Sequence, residues 1–205
     1  MTKKQYHSGA YHRYFEGFAE RKYYDEKENM HIDRVYVGNY YRRNISDKYH
    51  RALRIQYIVM YVLSLAAFLF AGTRGTQLNT VTYVYIPVTL SVIAMLCLSI
   101  PLFYNLTAPR EMMIRTYRDS SERLMQIDMC AAVLQVMNAL TTIVGMVSIP
   151  GQFGLNQFLS IGGFLASAVI LLWLWQTERH LEYETLPPKN VRPPHASVVK
   201  FRNTF

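Results

Sequence analysis

What this 205-residue sequence has little of is informative: only two cysteines, and no Lys, Arg, Asp or Glu in three stretches, 55–72, 81–104 and 158–176. Two cysteines exclude a disulfide-stapled secreted scaffold. Uncharged stretches of that length exclude a water-soluble globule, whose helices would show an outward stripe of Lys and Glu. A hydrophobic share of 51% excludes a disordered chain. Catalytic signatures are missing too: there is no G-x-x-x-x-G-K, no H-E-x-x-H and no paired cysteine motif. All six histidines (His7, His12, His31, His50, His180, His195) fall outside the apolar stretches, without metal-ligand spacing. The sequence thus reads as a non-enzyme with no cofactor and no metal.

What is present is four long apolar runs, Ile55–Gly72, Val81–Tyr104, Met125–Ser148 and Phe158–Gln176. As helices rising 1.5 Å per residue they would cover roughly 27 to 36 Å, enough to cross a bilayer. The expected fold class is an all-α integral membrane protein, a four-transmembrane-helix bundle with spans 55–72, 81–104, 125–148 and 158–176. A basic segment, 1–54, precedes the spans, a helical loop, 105–124, lies between the second and third, and a tail, 177–205, with two Pro-Pro pairs, is expected to be disordered. Met1-Thr2-Lys3-Lys4 leads into Gln, Tyr and His rather than an apolar stretch, so the first span is expected to act as an uncleaved signal anchor.

The charge distribution predicts the orientation. Of the 22 Lys and Arg residues, 12 lie in 1–54, 4 in the central loop and 5 in the tail, leaving Arg74 alone between the first two spans. Basic residues collect on the cytoplasmic side of short loops. Both termini and the central loop are therefore expected in the cytoplasm, with the plasma membrane as the location. The net charge of +8 then marks a membrane side, and nucleic acid is not an expected partner. The sequons at Asn44 and Asn105 fall on the inner side and read as chance matches. Cys97 and Cys130 read as small packing residues within the spans.

Arg42, Arg43, Lys48, Arg51 and Arg54 cluster just before the first span and are candidate contacts for an anionic inner leaflet, at about 1 kcal/mol each. Ser46 suits an N-cap for a helix running from Asp47 into that span. Tyr11, Tyr14, Phe15 and Phe18 have the spacing of an amphipathic helix face, and residues 34–41, broken by Gly38-Asn39, are β-prone. In the central loop, Pro109 suits a helix start, with Glu111–Arg115 and Asp119–Arg123 as i, i+4 pairs.

Within the spans the third run is the least apolar. Asp128, Gln135, Asn138 and Thr142 fall within an arc of about 80 degrees on a helix and form one polar stripe. Such a stripe should face the bundle interior, either as interhelical hydrogen-bonding groups or as a path for a proton, ion or solute. On the fourth run Ser160, Gly163 and Ser167 share a small-residue packing face. The functional expectation is a non-enzymatic subunit or scaffold of a membrane complex, engaging a protein partner or itself through its cytoplasmic segments. The alternative is a small oligomeric transporter or channel that uses the polar stripe.

Overall fold

The computed structural model describes residues 16–24, 30–74, 78–149, 151 and 153–188. It is mostly helical, and four helices are long and apolar enough to span a membrane: α1 (Asp47–Arg74), α2 (Thr82–Thr107), α3 (Ile114–Ser148) and α4 (Leu155–Arg179). Each covers one of the four apolar runs, except that Val81 precedes the second helix as its cap. Five short strands join them: β1 (Phe18–Tyr24), β2 (Met30–Tyr36), β3 (Tyr40–Arg43), β4 (Glu111–Met113) and β5 (Tyr183–Leu186). The chain divides into two compact units, one from the described residues of Met1–Arg43, Pro109–Arg118 and Tyr183–Phe205, the other from those of Asn44–Ala108 and Asp119–Glu182.

The second unit is the helical one. Ser46 starts α1 by accepting the Tyr49 amide N–H on its hydroxyl at 3.3 Å, satisfying a donor the first turn leaves free. A 3-10 turn at Leu78–Thr80 leads into α2, which continues through Pro87 and Pro101. Chain neighbours are not the main spatial neighbours: α1 packs chiefly on α4, α4 on α3 and α3 on α2, while α1 and α2 barely touch. The core comes from all four helices, with Leu53, Tyr57 and Phe68 of α1, Leu98 and Leu102 of α2, Leu124 of α3, and Phe164 and Leu171 of α4. Around it the polarity is the reverse of a soluble bundle. Leu63, Leu96, Val144 and Val169 are exposed, whereas Ser64, Ser91, Asp128, Gln135, Asn138 and Ser167 are buried.

Close approach of α1 and α4 rests on one glycine. A Cβ on Gly163 would lie 2.9 Å from the Ala71 Cβ and 3.0 Å from the Ala67 carbonyl oxygen, so any larger residue would push the helices apart. Helix α3 is not regular throughout: Arg118–Glu122 forms a π-helical stretch, which turns both Ser120 and Ser121 inward.

The first unit holds the strands. β1 and β2 form an antiparallel hairpin in which Phe18 faces Tyr36 in register. β3 is the centre of a separate three-stranded antiparallel sheet, with Tyr41 opposite Met112 of β4 on one side and Thr185 of β5 on the other. This sheet joins a segment that precedes α1, one between α2 and α3, and one that follows α4.

The strands correct the all-α expectation. β3 and β5 are about 140 residues apart, and a pairing at that separation leaves no local periodicity to read. The central loop is likewise not a helix from Pro109. β4 occupies 111–113, so Glu111 and Arg115 do not share a helical turn; Asp119 and Arg123 pair at 2.9 Å. In the tail, α4 runs to Arg179 and β5 follows, so 183–186 is ordered by strand pairing rather than disordered. Tyr11, Tyr14 and Phe15 lie outside the described residues, and Phe18 opens a strand rather than lying on a helix face.

Candidate functional site

The polar stripe lies on the buried face of α3. Asp128, Gln135 and Asn138 are fully buried and Thr142 is 1% exposed. Their hydrogen bonding is uneven. Asn138 donates from Nδ2 to the Ser91 hydroxyl of α2 at 2.8 Å and to Gln135 Oε1 at 3.4 Å, while the Thr142 hydroxyl turns back to the Asn138 carbonyl at 2.7 Å. Ser91 in turn donates to the Pro87 carbonyl at 2.9 Å, so the α2–α3 contact carries a short hydrogen-bonded chain. Asp128 has no such partner: neither carboxylate oxygen is hydrogen-bonded, and Gln135 Nε2 and Asn138 Oδ1 are unpaired as well. A carboxylate in that setting is stable only when a proton or a cation neutralises it.

A second buried carboxylate joins three helices at the last turn of α4. Glu178 of α4, 2% exposed, accepts a 2.6 Å hydrogen bond from the Ser121 hydroxyl of the π-helical stretch and another from the Tyr57 hydroxyl of α1. Ser120, beside it, receives Asn105 Nδ2 of α2 on its carbonyl at 3.5 Å. The sequence reading missed this cluster as a unit. Its one local signal is an acidic residue at the end of an uncharged run, and its partners come from other helices.

The small-residue face of α4 sits against α1. Ser160 donates to the Ala71 carbonyl at 2.9 Å, Ser167 and Ser64 hydroxyls lie 2.8 Å apart, and Gly163 meets Ala67 and Ala71. The five basic residues before the first span separate into different roles. Lys48 and Arg51 are exposed, Arg42 is half-buried, and Arg54 donates to the Ala108 carbonyl at 2.7 Å. Arg43 is corrected as a lipid contact: it is 1% exposed, with Nε on the Tyr183 hydroxyl at 3.2 Å and its guanidinium 5.8 Å from that ring's centre. Burial removes it from any surface. Asn105 is fully buried and inaccessible for glycosylation, and Cys97 and Cys130 are exposed rather than packed inside.

Compared with protein-family profiles, curated proteins and solved structures, the chain matches none. The site is therefore read from its own geometry.

The strand unit has an aromatic centre. Tyr41 stacks on Tyr117 at 4.6 Å, and Tyr117 meets Tyr183 edge-on at 4.8 Å. Tyr36 is enclosed by Phe18 and Tyr40 rings, each 5.1 Å away. Its hydroxyl donates to the Asn39 carbonyl at 2.8 Å and accepts the Ile114 amide at 3.0 Å. Burial pushes the Tyr36 phenol above its usual range, with the Ile114 hydrogen bond opposing in part. Arg118 holds Glu16 through two contacts, 2.5 and 3.2 Å. Both ends of that pair are well exposed, so it contributes at most about 1 kcal/mol. Among the described residues no group of three His, Cys, Asp or Glu side chains could hold a metal ion.

Proposed function

We propose that the chain is an integral membrane protein with both termini in the cytoplasm, acting as a non-enzymatic subunit or scaffold of a membrane complex. The observation that carries this reading is the sheet β4-β3-β5. Strands cannot pair across a bilayer, so residues before α1, between α2 and α3 and after α4 share one side. Four crossings give that result, and 21 of the 22 basic residues fall on that same side, the pattern of a cytoplasmic face. Apolar outward faces and polar inward ones favour lipid as the surroundings of the helices.

The sheet and the hairpin would give a protein partner a folded surface to bind, and the exposed Lys48 and Arg51 at the start of α1 would meet anionic headgroups. Affinity purification of the full chain in mild detergent tests the reading. A partner that co-purifies, and is lost when residues 1–40 are deleted, supports it. A protein that purifies alone, with no association changed by the deletion, removes it.

Asp128 favours a second reading, a small oligomeric transporter or channel. Its unpaired carboxylate and the Gln135–Asn138 pair lie along one buried face of α3. Reconstituted vesicles would then carry a proton or cation flux that Asp128→Asn abolishes, and no flux in the native protein would discard this alternative.

A further inference from the structure

The helical unit carries a groove unrelated to the polar stripe. It has a volume of about 590 Å³ and runs between α1 and α4, with Ala67 and Gly163 deep in it and Leu63, Phe70 and Phe158 among its walls. Its lining combines small residues, Ala66, Ala67, Gly162, Gly163 and Ala166, with large apolar ones. At its end, one helical turn beyond Phe70, the Arg74 guanidinium lies 4.9 Å from the centre of the Phe70 ring. Arg74 is exposed, and no carboxylate of the described residues pairs with it. Nor could a near one in sequence: 73–80 and 149–157 contain no Asp or Glu.

We propose that this groove binds one acyl chain of an anionic phospholipid in the leaflet at the Arg74 end of α1, with the lipid phosphate held by Arg74. This rests on the membrane reading above. The groove supplies an apolar slot for a chain, and the guanidinium fork suits a phosphate with no competing acid nearby. A second copy of the chain fits less well. A two-fold contact uses the same patch on both molecules, so it would bring two unpaired Arg74 side chains to the same end of the interface.

The test uses the purified full chain in detergent micelles and a phosphatidylglycerol with a photoreactive acyl chain, the cross-links being mapped by mass spectrometry. Cross-links are expected on the groove segments 63–70 and 158–170. Arg74→Gln should weaken them about fivefold, the effect of one basic residue at an anionic surface. Gly162→Leu should block them by filling the groove. A Cβ on Gly162 meets nothing within 4 Å, so this variant keeps the α1–α4 contact, and an unchanged unfolding temperature verifies that. A phosphatidylcholine analogue should label the groove more weakly. Labelling unaffected by Arg74→Gln, equal labelling by both lipids, or cross-links between two copies at the groove would overturn the proposal. Extraction of the chain from membranes by alkaline carbonate would instead overturn the membrane reading itself, a separate outcome.

Discussion

At the scale of single residues, Gly163 and Tyr36 have disproportionate effects. Gly163 has no room for a Cβ, since Ala71 and the Ala67 carbonyl stand 2.9 and 3.0 Å from where it would be. Gly163→Val is expected to destabilise the bundle by about 1–3 kcal/mol, the usual result of overpacking. Gly162→Ala, one residue away, should be close to neutral, and thermal unfolding in detergent compares the two. Tyr36 makes two hydrogen bonds through one hydroxyl. Tyr36→Phe leaves the Ile114 amide without its acceptor, a loss of about 1–3 kcal/mol to the strand unit. The phenol's raised pKa means the folded state holds this proton more tightly than the unfolded chain does. Its stabilising effect is complete below the ordinary tyrosine range near pH 10 and is lost as pH rises beyond it. Guanidinium unfolding of the strand unit should therefore lose stability as pH rises above about 10 in the native protein, and less so in Tyr36→Phe.

At the scale of elements, the π-helical stretch of α3 and the sheet govern assembly. The π turn presents Ser121 to Glu178, which also receives Tyr57, so one carboxylate ties α1, α3 and α4. Ser121→Ala and Tyr57→Phe should each cost about 1.5–3 kcal/mol, as hydrogen bonds to a carboxylate do. Since both act on Glu178, either donor partly covers the loss of the other and the double variant should lose more than the sum; a double-mutant cycle of unfolding free energies measures the coupling. β3 lies between β4 and β5, so Tyr41→Pro should break pairing on one side and expose β4 or β5 to limited proteolysis. Ser46 as a cap and the Asp119–Arg123 pair were legible because each depends on residues within one turn. β4 was not: Glu111 and Met112 carry no strand signal of their own, and only the registered backbone of β3 draws them out of a helix.

At the scale of the whole molecule, helix order is set by faces rather than by chain succession. α4 takes the central place between α1 and α3 because its small residues face α1, and its last turn supplies Glu178 to Ser121. Cysteines at positions 64 and 167, in a chain with Cys97 and Cys130 replaced by serine, should therefore form a disulfide on mild oxidation. The two hydroxyls they replace are 2.8 Å apart. Failure of that cross-link in folded protein would contradict the α1–α4 contact.

The sequence by itself determined the four apolar helices, their approximate limits and the inward polar stripe of Asp128, Gln135, Asn138 and Thr142. These follow from composition and periodicity along one stretch of chain, which local residues fully specify. Only the tertiary structure decided that Asp128 accepts no hydrogen bond while Glu178 accepts from Ser121 and Tyr57, that Arg43 is buried beside Tyr183, and that three distant segments form one sheet. Each depends on which groups meet across long separations, and contact between elements is fixed by packing, which no single stretch encodes.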